Sequence, residues 1–259
     1  MESRTSEADG WLDALAAELG LSLGAYKREQ LVRRAAAFAH QRGLDGPWEL
    51  VGRVRADRSW AEECRHYLTI HVTAFFRDPP YWAWLEQLLA ARPRAGRLRV
   101  WSAAAATGAE PLSVAALLRR LGYPADILAT DVDERVIRQA EAGEYGAAEI
   151  GGLDETVRRI LFEAGSPGSV RVRPEIRAQI RYRRLDLLQD PYPAGPFDLI
   201  LCRNVLIYFT AEERHRVVGR LVERLAPAGV LFVGATEVLL NPEDFGLTVV
   251  FPALYRRRA

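Results

Sequence analysis

From Arg97 onward, short apolar runs alternate with stretches of helical period, and that alternation leaves few folds open to the chain. Leu98–Trp101, Ile127–Thr130, Phe197–Leu201 and Val230–Val233 read as strands. Glu110–Leu121, Arg135–Ala142 and Ala211–Leu225 read as helices between them. A helix between two strands carries the chain back so that the strands lie parallel, and successive crossovers cover both faces of the sheet. The expected class is α/β. One stretch breaks the rhythm: Val170–Val172, Ile176 and Ile180–Arg183 read as short strands around Pro174. They predict a small antiparallel β insertion at about 157–184.

The first seventy or so residues lack strand patterns. Trp11, Leu12, Leu15 and Leu19 share one helical face, and Gly20 and Gly24 punctuate its end. Further helices are predicted over Tyr26–Gln41, Trp48–Val54 and Trp60–Tyr67. The expected division is a small all-α domain at 1–72 and an α/β domain at 73–259. A hydrophobic fraction of 49% supports a packed core, and a formal net charge of +1 argues against a protein-wide nucleic-acid-binding field. Positive charge is nearly all Arg, with Lys27 the only lysine. Cys64 and Cys202 are far apart, and His40, His66, His71 and His215 are scattered, so no metal-ligand spacing is present. No apolar run reaches the roughly 18–20 residues of a membrane span. The polar, acidic start differs from a signal peptide. A reduced, cytoplasmic protein is expected.

Four segments carry candidate chemistry. Val100–Pro111 is a strand end, a loop of small residues and a helix start with Pro111 in its first turn. It is neither a GxxxxGK[ST] nor a GxGxxG loop, but small residues let a ligand approach the backbone where α/β folds bind cofactors. Asp131 ends the next strand, the position that accepts from ribose hydroxyls; a helix cap is the alternative. Phe197–Phe209 puts Arg203 and Asn204 at a strand tip inside an apolar run, and such polar groups need a reason to be there. His71–Asp78 holds two aromatics beside Arg77 at the domain junction, either core plus surface charge or a lid over a cofactor.

Together the runs Thr73-Ala-Phe-Phe-Arg-Asp78, Val100–Ser113, Cys202-Arg-Asn-Val-Leu-Ile-Tyr-Phe209 and Leu231-Phe-Val-Gly-Ala-Thr-Glu237 resemble the CheR-type chemotaxis receptor methyltransferases, from about Tyr26 to Tyr255. The resemblance implies a Rossmann-like S-adenosylmethionine-dependent methyltransferase domain with a small β-subdomain, behind a helical docking domain. It implies a protein-glutamate O-methyltransferase of chemotaxis adaptation. For the cofactor it implies His71, Thr73 and Arg77 from the linker side, and Glu110 at the methionine amino group. Asp131 would meet the ribose and Asp186 and Leu187 the adenine, with Arg203 and Asn204 closing the far side. Arg77 and Tyr208 would handle the substrate carboxylate. No metal is implied. This chain departs from the family pattern at His71 and Asp186, where Asn is usual, and at Ala109, where a second acid is usual. The short loop Glu163–Ser169 implies independence from the receptor-tail peptide that many relatives bind.

A glutamate with a pKa near 4.3 is already an anion at neutral pH, so methyl transfer to it needs positioning rather than a general base. Lys27, Arg28, Arg33, Arg34 and Arg42 face only Glu29 between Tyr26 and Gly43. That basic helix fits an acidic receptor surface, and a monomer is expected. Two other readings stay open: a carboxyl methyltransferase of small acids, and a non-catalytic module that binds the cofactor or a receptor.

Overall fold

The computed structural model describes residues 10–21, 26–69, 73–93 and 96–258. The described residues divide into two compact units, one within 1–71 together with Tyr208–Arg214, the other within 72–207 and 215–259.

The first unit is helical. Its helices are α1 (Gly10–Leu19), α2 (Arg28–Gln41), α3 (Pro47–Ala56) and α4 (Arg58–Leu68). Each buries one stripe: Trp11, Leu12, Leu15 and Leu19 on α1, Leu31, Ala35 and Phe38 on α2, Leu50, Val51 and Val54 on α3, Cys64 and Leu68 on α4. Helix α2 stops at Gly43, whose φ of 68° lets Leu44 N–H reach the Ala39 carbonyl at 3.0 Å. Helix α4 starts on Asp57, whose side chain accepts from Ser59 N–H at 2.7 Å. The segment Tyr208–Arg214 joins this unit because Lys27 N–H bonds the Tyr208 carbonyl at 2.9 Å. Tyr26 also pairs with Phe209, their rings meeting edge-on at 5.2 Å. A boundary drawn once at residue 72 misses this return, since a contact across so much sequence leaves no local signal.

The second unit opens with α5 (Pro79–Ala90), and β1 (Leu98–Ala103), α6 (Ala109–Leu121), β2 (Ala125–Asp131) and α7 (Glu134–Ala142) follow. Next come β3 (Glu144–Gly146), α8 (Ala147–Ile150), α9 (Glu155–Leu161), β4 (Phe162–Ala164), β5 (Ser169–Val172), α10 (Pro174–Arg177) and β6 (Ile180–Arg184). The chain ends with β7 (Phe197–Cys202), α11 (Ala211–Glu223), β8 (Leu225–Val233), β9 (Leu247–Phe251) and β10 (Leu254–Arg257). Among the described residues the main sheet has the order β6-β2-β1-β7-β8-β10-β9. Strands β6 to β8 run parallel, and β10 is antiparallel to both its neighbours. The order reverses at β1, between β2 and β7, and such a switch point opens a crevice at the carboxyl ends of the strands. Helix α6 is buried from Ala109 through Leu118, as a helix apolar nearly all round must be.

Three readings from sequence change here. Ile180–Arg184 is not part of the insertion: it pairs in parallel with β2, Ile127 opposite Ile180, as an edge strand of the main sheet. Its exposed arginines suit a sheet edge, where charge discourages further pairing. The small sheet is instead β3-β5-β4, assembled from Glu144–Gly146, Ser169–Val172 and Phe162–Ala164. The end of the chain, whose three arginines read from sequence alone as a solvated tail, instead forms a strand, with Leu254 and Tyr255 buried in β10 between β8 and β9.

Candidate active site

The loop after β1 is held by the tip of β2. Ala104 and Ala105 N–H both bond the Thr130 carbonyl, at 2.8 and 2.9 Å, and Ala106 N–H bonds Asp131 Oδ2 at 2.9 Å. Asp131 Oδ1 accepts from Asp133 N–H at 3.1 Å. Burial pushes the Asp131 carboxyl up to about 6, against the downward pull of the Asp133 and Ala106 N–H groups. Asp131 is therefore both the loop's anchor and a buried acceptor at the tip of β2. Ala104 and Ala106 lie at φ of 72° and 47°, a region costly for any residue with a Cβ. Gly108 lies at φ +92°, and a Cβ there would come within 2.8 Å of Tyr145 Oη.

Glu110, at the start of α6, is buried; its Oε1 accepts from Ser102 Oγ at 2.7 Å. Its Oε2 lies 3.6 Å from Arg203 Nη1. Burial raises the Glu110 pKa, while the Arg203 charge and the Ser102 hydroxyl lower it. Arg203 has a side chain only 2% exposed. Its guanidinium sits over Phe232 at 4.5 Å and Trp82 at 5.5 Å, and its Nη2 bonds the Arg77 carbonyl at 2.8 Å and Asp78 Oδ2 at 3.1 Å. The Arg77 carbonyl also accepts from Trp82 Nε1 at 2.9 Å. Thus Arg203 ties the 77–78 segment to Glu110 from behind.

The two aromatics of that segment are anchors. Phe75 meets Tyr145 and Phe162 of the small sheet edge-on at 5.3 and 5.8 Å, and Phe76 meets Trp82 at 5.1 Å. Phe76 N–H bonds Ser113 Oγ at 2.9 Å. Edge-on pairs each add about 0.5–1.5 kcal/mol beyond buried area. Thr73 and Arg77 flank this anchored run and are half-buried.

Past β6, Leu185 N–H bonds the Asp131 carbonyl at 2.8 Å, which brings Asp186 and Leu187 to the tip of β2. Asp186 is buried and accepts from Leu188 N–H at 2.8 Å; burial raises its pKa and that N–H lowers it. The Leu187 carbonyl accepts from Tyr192 Oη at 2.8 Å and Arg220 Nη1 at 2.9 Å. Asn204 follows β7 at φ 60°.

One unit therefore gathers Arg77, Glu110, Asp131, Asp186, Leu187, Arg203 and Asn204 on the turns that leave β1, β2, β6 and β7 and on the segment Arg203 ties down. Tyr208 falls in the helical unit, so the second unit alone does not bring Arg77 and Tyr208 together. His71 lies outside the described residues. The sequence reveals no role for Ser102, Asp78 and Glu237, which bond Glu110, Arg203 and the Asn204 main chain respectively. Ser102 was visible as a hydroxyl in a buried strand, and Glu237 as the last residue of the fourth run; their partners were not.

Residues 71–250 match the family model described as CheR methyltransferase, SAM binding domain. A chemotaxis protein methyltransferase of Listeria innocua serovar 6a is 41% identical over 239 residues, 90% of each chain. A chemotaxis protein methyltransferase 1 of Pseudomonas aeruginosa is 34% identical over 92% of each. That of Escherichia coli K12 is 34% identical over 84% of this chain and 79% of its own. Among solved structures, PKMT2 from Rickettsia typhi with AdoHcy aligns with 64% of this chain and 26% of its own at 17% identity and a TM-score of 0.40.

Proposed function

From a chain that belongs to the CheR methyltransferase family, and that is on that ground an S-adenosylmethionine-dependent methyltransferase, we infer transfer of a methyl group to glutamate side chains of chemoreceptors. The observation that carries this is the match over 71–250 falling on a site whose buried groups fit the cofactor. The fit is chemical. Asp131 offers a buried acceptor for a diol, Glu110 a buried carboxyl for an ammonium, and the Ala103–Gly108 loop carries no side chain larger than threonine.

The roles we assign follow. Asp131 accepts from the ribose hydroxyls, and Glu110 holds the methionine amino group. Asp186 and Leu187 flank the adenine. Thr73 and Arg77 bound the site from the linker side, and Asn204 from the far side. Arg203 acts through Glu110, the Arg77 carbonyl and the Asp78 carboxylate, which its two Nη atoms engage. Arg77 and Tyr208 orient the incoming carboxylate. When bound, S-adenosylmethionine supplies an electrophilic methyl on a sulfonium. The chain's residues need supply no base, because the glutamate is already ionised; they hold its oxygen in line and exclude water. Orientation by a cation must stay weak enough to leave the oxygen nucleophilic, since only stronger transition-state binding speeds the step. No helix among the described residues is long and apolar enough to cross a membrane. We place the enzyme in the cytoplasm as a monomer that meets receptors through the basic face of Lys27–Arg42, without need of a receptor-tail peptide.

The test is transfer of tritiated methyl from S-adenosylmethionine to receptor-rich membranes, beside calorimetric binding of the cofactor. Label in the receptor, released by mild alkali as a methyl ester is, is the expected result. Cofactor binding without transfer would reduce the protein to a binding module, and label confined to small carboxylic acids would move the substrate.

A further inference from the structure

One buried carboxylate has no place in the roles above. Glu237, in the turn after β8, is 0% exposed. Its Oε2 accepts from Asn204 N–H at 2.6 Å and Gly234 N–H at 2.7 Å, and its Oε1 from Ile207 N–H at 3.1 Å. Three main-chain donors, on the turns that leave two adjacent parallel strands, β7 and β8, thus converge on a single side chain. A buried anion is costly unless it is fully hydrogen-bonded, and charge-assisted bonds of this kind are about twice as strong as neutral ones. The turn closes on it without a gap. A Cβ at Gly234 would stand 2.9 Å from Asn204 N, and nearer still to Glu237 Oε2. What the carboxylate fixes is costly to hold otherwise, because Asn204 sits in the left-handed region at φ 60°. A neutral or apolar side chain at 237 would leave the turn its strain and remove the groups that offset it.

We propose that Glu237 is a positioning residue of the cofactor site, holding the 204–207 main chain in the one conformation in which Asn204 serves the cofactor. The inference rests on the reading of Asn204 given under the proposed function. The requirement is for two acceptor oxygens at glutamate length. Glutamine keeps the shape but turns an amide NH2, which cannot accept, towards one set of donors. Aspartate keeps the charge but falls short of Ile207.

The experiment measures S-adenosylhomocysteine affinity by calorimetry, with urea melts as a fold check, in wild type, Glu237→Gln, Glu237→Asp, Asn204→Ala and Glu237→Gln/Asn204→Ala. Amide exchange at Asn204 and Ile207 is followed in the ligand-free wild type. Expected are a tenfold or larger loss of affinity in Glu237→Gln and partial recovery in Glu237→Asp. The double variant should lose no more than the worse single one, since Glu237 acts through Asn204. Both amides should be protected in the free protein. Methyl-transfer kinetics should show the loss in KM for the cofactor, with KM for the receptor unmoved. Wild-type affinity in a folded Glu237→Gln, losses that add in the double variant, or exchange at open-chain rates would each overturn the proposal. A wild-type protein that binds no S-adenosylhomocysteine would instead overturn the functional reading beneath it, and this proposal with it.

Discussion

Asp131 is destabilised as an anion in the free protein, and a diol would relieve it. Burial lifts its carboxyl from an ordinary 3.8 to about 6. A group raised on folding stabilises the fold below its unfolded pKa and loses that contribution as pH climbs through the folded value. Unfolding free energy in wild type should therefore fall, relative to Asp131→Asn, between about pH 4 and 6. The difference is at most roughly 3 kcal/mol for a two-unit shift. Urea melts across that range check it, and a constant gap between the two proteins would mean the carboxyl titrates normally. Hydroxyl donors favour the anion, so affinity for S-adenosylhomocysteine should rise with pH up to about 6 in wild type and stay level in Asp131→Asn. Arg77 poses a different question at the same scale. If its fork orients the incoming glutamate, Arg77→Ala should cut turnover on the order of 100-fold with cofactor affinity little changed. If it serves the cofactor carboxylate, affinity falls and saturating cofactor restores the rate. Arg77→Lys keeps the charge and loses the fork, and so separates charge from geometry. Near-normal turnover in Arg77→Ala would remove the residue from the site.

Among the elements, the loop between β1 and α6 is the most exacting. Gly108 has φ +92°, and an added Cβ would meet Tyr145 Oη at 2.8 Å, Ala140 Cβ at 3.0 Å and Tyr182 Oη at 3.1 Å. Gly108→Ala should cost about 2 kcal/mol or more, from left-handed strain together with the clash. Adding Tyr145→Phe removes the nearest atom and should recover part of that loss, although it also removes the Tyr145 hydroxyl's bond to the Thr107 carbonyl at 2.7 Å. Urea midpoints of the two variants decide, and a Gly108→Ala protein as stable as wild type would contradict the loop's geometry. What could be read of this element from sequence was its setting. The strand, the small residues and the Pro111 helix start are local patterns, and so was Asp131 at the end of β2. Strand β6 was misassigned because Ile180–Arg184 alternates like any short strand, and nothing local tells a two-stranded insertion from an edge of the main sheet. Strand β10 was missed because its arginines outweigh Leu254 and Tyr255 in any short window. Glu237 carries no local sign of its role, since its three donors lie at Asn204, Ile207 and Gly234 and only folding brings the first two to it.

At the scale of the whole molecule, the proposed receptor contact would have to be made by a chain with a formal net charge of only +1. Helix α2 and its flanks carry five basic residues, but the fold uses three of them internally. Arg28 pairs with Asp13 at 3.3 Å, Arg34 donates to the Tyr67 carbonyl, and Arg42 pairs with Glu63 at 2.7 Å while lying over Phe38 at 5.2 Å. Lys27 and Arg33 are exposed and have no ion-pair partner among the described residues. If this face meets an acidic receptor, these two should supply most of the steering. Complementary charge of this kind mainly speeds encounter and is screened by salt over about 8–10 Å. Lys27→Ala/Arg33→Ala should then lower the association rate with receptor membranes several-fold at low salt and flatten its dependence on ionic strength. Turnover at saturating receptor should stay near wild type, because neither residue is among those assigned to the cofactor or the methyl acceptor. Arg42→Ala is the control: it should lower stability by up to about 1 kcal/mol, as loss of an exposed pair does, while changing the salt slope less than the double variant. Stopped-flow association across a salt series reads both. An unchanged slope in Lys27→Ala/Arg33→Ala would move the receptor contact off this helix, and a larger slope change in Arg42→Ala would mean that the Glu63 pair opens when the receptor binds.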